Sequence, residues 1–183
     1  DAKTLAIQTL ETGVRPTYLR TLAGTDDAIV LNVGTDDATV IREPSQGART
    51  STVEVVAGAN SIGVAPDGKH AVVWFDSTLS GATSSSGSFQ DVSVIKLADG
   101  GDDEVPMTVG FRPRAVFFSG DGAQAFVVNE DGVSVLSFAD VDRNGSGSAR
   151  LVLLGADIDR QAADVAVTND GRFALAREPG KSR

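Results

Sequence analysis

The chain has 183 residues and a formal net charge of −9, and 41% of its residues are apolar, which is enough for one domain with a sizeable core. Its acidic balance argues against binding to nucleic acid, because contacts with phosphates need clustered lysines and arginines. The absence of cysteine excludes disulfides and Cys-ligated zinc, and no stretch approaches the roughly 18 consecutive apolar residues of a membrane span.

Asp-Gly turns between short apolar runs recur along the chain. Such a dipeptide is a strong β-hairpin signal, because glycine accepts the positive φ of a tight turn. The turns recur roughly every 40 to 55 residues, which is the period typical of four-stranded propeller blades. Three stretches show a strand, an Asp-Gly turn and a second strand, and a fourth fits more loosely: 61–75, 114–128, 163–177 and 18–33.

A third and a fourth strand follow each of the hairpins at 18–33, 61–75 and 114–128. The third strands are predicted at 37–41, 91–97 and 132–138, and the fourth at 50–56, 103–109 and 149–155. The chain is therefore predicted to be all-β, a single β-propeller domain of four-stranded antiparallel blades, with about four blades visible. Its approximate blades are 13–56, 57–109, 110–155 and 156–183, with an N-terminal strand at 3–10.

The repeats resemble the YVTN-type repeats of lactonase-like, many-bladed bacterial β-propellers. The resemblance rests on RPRAVFFSGDGAQAFVVNEDGVSVLSF (112–138) and NSIGVAPDGKHAVVWFD (60–76), and it extends over nearly the whole chain. It implies that these blades belong to a larger ring of about seven blades. Members of this group include lactone hydrolases, surface-layer proteins and binding or scaffold domains, so the resemblance is specific for architecture alone.

The two ends of the chain do not coincide with the ends of predicted blades. Residues 3–16 match a fourth strand leading into the next unit, and residues 173–183 match a second strand that runs into a turn. We therefore expect a piece of a longer propeller, because an open ring leaves sheet edges and apolar faces uncovered. A four-bladed ring and pairing of open edges in an oligomer are the alternatives.

The sequence offers little for nucleophilic catalysis, and no catalytic residue is assigned. His70 is the only histidine, so a Ser-His-Asp triad would have to use it, and no serine lies in a G-x-S-x-G elbow. The S-x-x-K match at 93–96 has the alternation of a strand. The few aromatic residues are predicted to be inter-blade core, not a stacking platform for bases or sugars.

Residues 140–145, DVDRNG, resemble the first half of a calcium-binding loop. Asp140, Asp142 and Asn144 supply oxygens at alternate positions, and a glycine at the sixth position lets the chain wrap a hard cation. The twelfth position is Leu151, where an EF-hand has a bidentate glutamate, so calcium would need a further ligand from elsewhere. The alternative is a polar connecting loop with Asx turns, and no other cofactor is expected.

A ligand site is predicted where the connections between blades and the hairpins between second and third strands share one end of the sheets. We call this end the channel-mouth face, because first strands are expected to line a central channel. Arginine forks bidentately onto carboxylate and phosphate, so arginines there suit a small anionic ligand; pairing with nearby aspartates is the alternative. The predicted ligand-binding residues are Arg15, Asn60, Arg112, Arg114 and Arg160.

Three functions fit this prediction. The first is a non-catalytic binding or scaffold module that recognises a protein or a small anionic ligand at the channel-mouth face. The alternative is a lactonase-like hydrolase, which needs acidic residues or histidine converging on the channel with a bound metal. A structural role in a surface layer is the third, and the resemblance favours the periplasm or the outside of the cell.

Overall fold

The structure, a computed structural model, describes residues 7–79, 88–98, 101–155, 157–159, 164–178 and 180. Nearly half of these residues lie in strands, which form sheets that follow one another along the chain. Short runs of valine and isoleucine between turn residues favour this outcome, because β-branched side chains fit a pleated surface. No helix among the described residues is long and apolar enough to cross a membrane.

The first two sheets are built from consecutive strands, each pairing with the next. The first sheet contains β1 (Pro16–Thr21), β2 (Ala28–Asn32), β3 (Asp37–Arg42) and β4 (Arg49–Glu54), with a short 3-10 helix at Pro44–Gln46. The second sheet contains β5 (Ser61–Val64), β6 (His70–Trp74), β7 (Asp91–Ala98) and β8 (Gly101–Thr108). All of these neighbouring strands are antiparallel.

The third sheet repeats this order but carries an insertion before its last strand. Its first three strands are β9 (Ala115–Phe118), β10 (Gln124–Val128) and β11 (Gly132–Ser137). The insertion contains helix α1 (Phe138–Asn144) and strand β12 (Gly147–Ser148), which pairs in parallel with β8 of the second sheet. The last strand is β13 (Arg150–Leu153), and a fourth sheet pairs β14 (Asp164–Val167) with β15 (Ala174–Arg177).

These sheets confirm the expected fold class, and two local expectations have other outcomes. The N-terminal strand at 3–10 falls partly on residues 1–6, which lie outside the described residues, and residues 7–10 are not in a strand. The expected connecting loop after β11 is a helix. Phe138 and Val141 lie three residues apart on one side of α1 and are both buried, so packing stabilises a helix too short to stand alone.

The sheets pack against one another face to face. Because successive side chains of a strand point to opposite faces of its sheet, the residues of the second sheet alternate between two hydrophobic cores. On β6, Ala71 and Val73 belong to the core shared with the first sheet, whereas Val72 and Trp74 belong to the core shared with the third. The whole of β6 is therefore buried, as expected for a strand covered on both faces. Each inner sheet is thus stabilised by its two neighbours, which is the principle of a propeller.

The first and last sheets expose apolar side chains of a kind that the inner sheets bury. Leu19 on β1 is 58% exposed and Leu175 on β15 is 64% exposed. Phe173, just before β15, is similarly exposed. Among the described residues no further sheet covers these side chains, and Leu153 on the last strand of the third sheet is also 65% exposed.

In the turns after β9 and β14, an aspartate accepts hydrogen bonds from the side-chain hydroxyl two residues before it and from the backbone N–H two residues after it. The Ser119 hydroxyl donates to Asp121 Oδ1 at 2.6 Å, and the Ala123 N–H donates to the same oxygen at 3.0 Å. Thr168 donates to Asp170 Oδ1 at 2.6 Å in the same way. The hydroxyl bond, and next the N–H bond, hold the pKa of the Asp121 carboxyl below its usual value.

We expect Ser119→Ala to raise the pKa of Asp121 and to leave Asp170 unchanged. A lowered folded-state pKa stabilises the fold above the unfolded-state pKa, and this contribution is lost as pH falls through the folded-state pKa. The variant should therefore lose less stability than the parent on acidification below about pH 4. Carboxyl ¹³C NMR titration of both aspartates is the measurement, and an unchanged Asp121 titration would contradict the expectation.

Candidate functional site

The structure places four of the five predicted ligand residues next to the starts of first strands, at the channel-mouth face. Each of them lies close to the hairpin between the second and third strands of its own sheet. The Arg15 carbonyl, for example, accepts a hydrogen bond from the Val33 N–H, and the Arg114 N–H donates to the Val128 carbonyl. Arg160, the fifth, lies outside the described residues.

The side-chain amide of Asn60, just before β5, makes two hydrogen bonds to the backbone of Asp76, just after β6, and so joins the two ends of the β5–β6 hairpin. Its Nδ2 donates to the Asp76 carbonyl at 2.9 Å, and its Oδ1 accepts from the Asp76 N–H at 2.7 Å. Asp76 in turn accepts from the Thr78 hydroxyl at 2.6 Å, at the start of the insertion between β6 and β7. These contacts give Asn60 a structural function at the channel-mouth face.

Arg15 and Arg112 occupy the same position in two copies of a Gly-X-Arg-Pro motif, at 13–16 and 110–113. Both have a positive φ, 55° and 53°. This conformation is uncommon for residues other than glycine, and Asp36 and Glu43 share it in this chain. The motif is a sequence signal for the channel-mouth arginines beyond their place before a strand.

Arg112 lies between two aromatic rings and beside an acidic side chain. Its guanidinium carbon lies 5.1 Å from the ring centroid of Phe111 and 5.6 Å from that of Phe89, and the two rings are 5.8 Å apart. Its Nη1 donates to Glu130 Oε1 at 3.2 Å. A guanidinium held across aromatic rings keeps donors at its edge, where a carboxylate or phosphate can accept them.

A cleft of about 480 Å³ lies between the first and second sheets, at the end of these sheets opposite the channel-mouth face. His70 and Asp142 both line it, although they are 72 residues apart in sequence. His70 Nε2 lies 3.1 Å from Asp142 Oδ1, and its ring stacks on Phe138 with the centroids 4.1 Å apart. These contacts attach the insertion of the third sheet to the second sheet, and no sequence spacing pointed to them.

The three residues expected in a calcium-binding loop, Asp140, Asp142 and Asn144, lie on α1. Residues two apart on an α-helix are separated by about 200° around its axis, so their oxygens do not converge as loop ligands do. Asp140 accepts from Arg143 at 3.0 Å, and Asp142 is bonded to His70. Among the described residues no three His, Cys, Asp or Glu could hold a metal together. The expected loop geometry is therefore wrong, and calcium binding stays a prediction.

Comparison with known proteins finds likeness in solved structures. No family model and no curated protein matches the chain. A candidate 6-phosphogluconolactonase from Bacteroides uniformis has a TM-score of 0.53 and 14% identity over 73% of this chain. The periplasmic gluconolactonase PpgL of Pseudomonas aeruginosa has a TM-score of 0.51 and 19% identity over 75%. Hydrazine synthase of Kuenenia stuttgartiensis has a TM-score of 0.51 and 19% identity over 82%.

These likenesses show the fold, which is that of part of a β-propeller. The matches cover 39%, 39% and 40% of those three proteins, so the chain spans less than half the length of each. Two of the three are named for lactonase activity and one for hydrazine synthesis. Because one fold carries such different chemistry, the function has to be argued from the site.

Proposed function

We propose that this chain is part of a lactonase-like β-propeller that binds a small anionic ligand, a sugar acid or sugar phosphate, at the channel-mouth face. The Arg112 side chain carries the proposal, because it lies across Phe89 and Phe111 and pairs with Glu130. The stacked guanidinium has a planar edge that suits bidentate donation to carboxylate or phosphate. The two phenylalanine rings offer apolar surface to the rest of such a ligand.

Lactone hydrolysis is the second candidate, and the names of two similar structures favour it. Opening a lactone requires a base that takes a proton from the attacking water and donors that stabilise the tetrahedral oxyanion. Glu130 and Arg112 have the chemical character for these two roles, and their side chains lie 3.2 Å apart. Either function is compatible with the same anion-binding position.

The partner and the location of the protein belong to this proposal as well. The exposed apolar residues on β1 and β15 support contact with a further sheet, from another protein or from a second copy of this chain. A location in the periplasm or outside the cell is supported by one similar structure, the periplasmic gluconolactonase. A surface-layer role would use the same exposed end sheets.

Arg112→Ala is expected to weaken binding of 6-phosphogluconate at least tenfold (roughly 1.4 kcal/mol), because it removes a charge-assisted contact to the anion. Isothermal titration calorimetry measures the affinity. The matched control is Arg172→Ala, because the Arg172 guanidinium also lies over a phenylalanine ring, 5.7 Å from the centroid of Phe173. Arg172 is in the turn between β14 and β15, at the end of the fourth sheet opposite the channel-mouth face. We expect that control to bind like the parent.

Hydrolysis is tested on the same samples with 6-phosphogluconolactone. A rate above the spontaneous one that falls in Glu130→Gln would establish the hydrolase and assign Glu130 to the reaction. Binding without any acceleration would support the binding module alone. If the parent binds no 6-phosphogluconate at millimolar concentration, or if Arg112→Ala binds it equally well, the proposed site is wrong.

A further inference from the structure

The cleft between the first and second sheets is a separate cavity from the channel-mouth face. Its walls come from the loop between β1 and β2, the end of β3, the turn before β6 with the first residue of β6, the end of β7 and one residue of α1. Its volume, about 480 Å³, is within the range of small-molecule sites. Its lining includes Leu22, Arg42, Lys69, His70, Lys96 and Leu97.

The carboxylates of this cleft are already engaged by protein donors. Asp27 accepts from Arg42 Nη1 at 2.9 Å through one oxygen and from the Glu43 N–H at 2.9 Å through the other. Asp142 is bonded to His70 at 3.1 Å. Asp67 Oδ1 accepts from the Lys69 N–H at 3.0 Å. Each of these carboxylates therefore already accepts at least one hydrogen bond from a protein group.

The two ammonium groups of the cleft are not engaged in the same way. Lys96 Nζ lies 3.7 Å from Asp103, whose side chain is largely exposed, and this is beyond hydrogen-bonding distance. None of the ion pairs found among the described residues uses Lys69, which is exposed beside His70. The cleft thus presents two ammonium groups without a hydrogen bond to the described protein groups, and these suit a ligand that brings acceptor oxygens.

We propose that this cleft binds a small molecule carrying a phosphate or carboxylate group, whose oxygens accept hydrogen bonds from Lys69 and Lys96. Leu22 and Leu97 are buried in the same walls and supply apolar contact for the remainder of the molecule. Because the walls come from two sheets and α1, the bound molecule would hold these parts together. The site does not depend on the function proposed for Arg112.

Amide chemical-shift mapping with two simple probes tests this site. Inorganic phosphate and malonate are titrated separately at constant ionic strength, so that the preferred anion is distinguished from general salt effects. We expect saturable shifts at the amides of Leu22, His70 and Leu97. The Lys69→Ala/Lys96→Ala double variant should bind the preferred probe at least fivefold more weakly, and Arg172→Ala should bind it like the parent.

The positions of the shifts separate this proposal from the channel-mouth proposal. Shifts confined to Gly110 and Arg112 would place the anion at the channel-mouth face and overturn the cleft site. Shifts scattered over the surface, or an affinity unchanged in the double variant, would also overturn it. Shifts in the cleft without shifts at Arg112 would support the cleft and leave the other site to its own ligand.

Discussion

Arg42→Met is expected to lower the free energy of unfolding by about 3–5 kcal/mol, because it leaves two buried carboxylates without a counter-charge. Arg42 Nη1 lies 2.9 Å from Asp27 Oδ2, and Nη2 lies 2.6 Å from Asp102 Oδ1. The exposed fractions of these three side chains are 15%, 9% and 5%. Since Asp27 lies in the β1–β2 loop of the first sheet and Asp102 lies on β8 of the second, the substitution also weakens the contact between the two sheets.

Arg49→Met is the matched control for this effect. Arg49 pairs with Glu43 at 3.0 Å, but their side chains are 72% and 51% exposed. An exposed pair contributes at most about 1 kcal/mol, so the control should be close to the parent. Urea denaturation measures both variants. Equal losses of stability would contradict the assignment of Arg42 to the interior between the two sheets.

Gly68→Ala is the second substitution with a large expected effect, a loss of about 2–4 kcal/mol of unfolding free energy. Gly68 has a φ of +71° in the Asp-Gly turn before β6. A Cβ built there lies 2.8 Å from the Ala23 carbonyl oxygen and 3.1 Å from the Ala23 nitrogen. Both contacts are to backbone of the first sheet's β1–β2 loop, so the two turns would have to separate.

The control, Gly24→Ala, isolates the cost of the backbone conformation alone. Gly24 has a φ of +80°, but a Cβ there meets nothing within 4 Å. We therefore expect it to lose only about 1 kcal/mol. The difference between the two variants, measured by urea denaturation, reports the contact between neighbouring turns. No difference would mean that the turns of the first and second sheets do not depend on each other.

The fold could be predicted from the sequence because its signals are local. Asp-Gly turns and alternating apolar residues occur within each hairpin, and they correctly indicated successive four-stranded antiparallel sheets. Helix α1 was not predicted, because it has seven residues and is stabilised by the burial of Phe138 and Val141 in a core made with the second sheet. Such contacts between distant residues leave no periodic signal.

The candidate site was predicted only in part, because several residues that contact one another in it are far apart in the sequence. Arg112 could be placed at the channel-mouth face from its position before a first strand. Its partners Phe89 and Glu130 could not, because they come from hairpins of two different sheets. The pair of His70 and Asp142 was missed for the same reason.

Mapping 6-phosphogluconate onto the amide resonances of the chain tests the central claim most directly. The proposed function predicts saturable shifts at Phe111, Arg112 and Glu130, the residues around the stacked guanidinium, and their loss in Arg112→Ala. Shifts found only at the opposite end of the sheets, or none at millimolar ligand, would contradict an anion-binding site at the channel-mouth face.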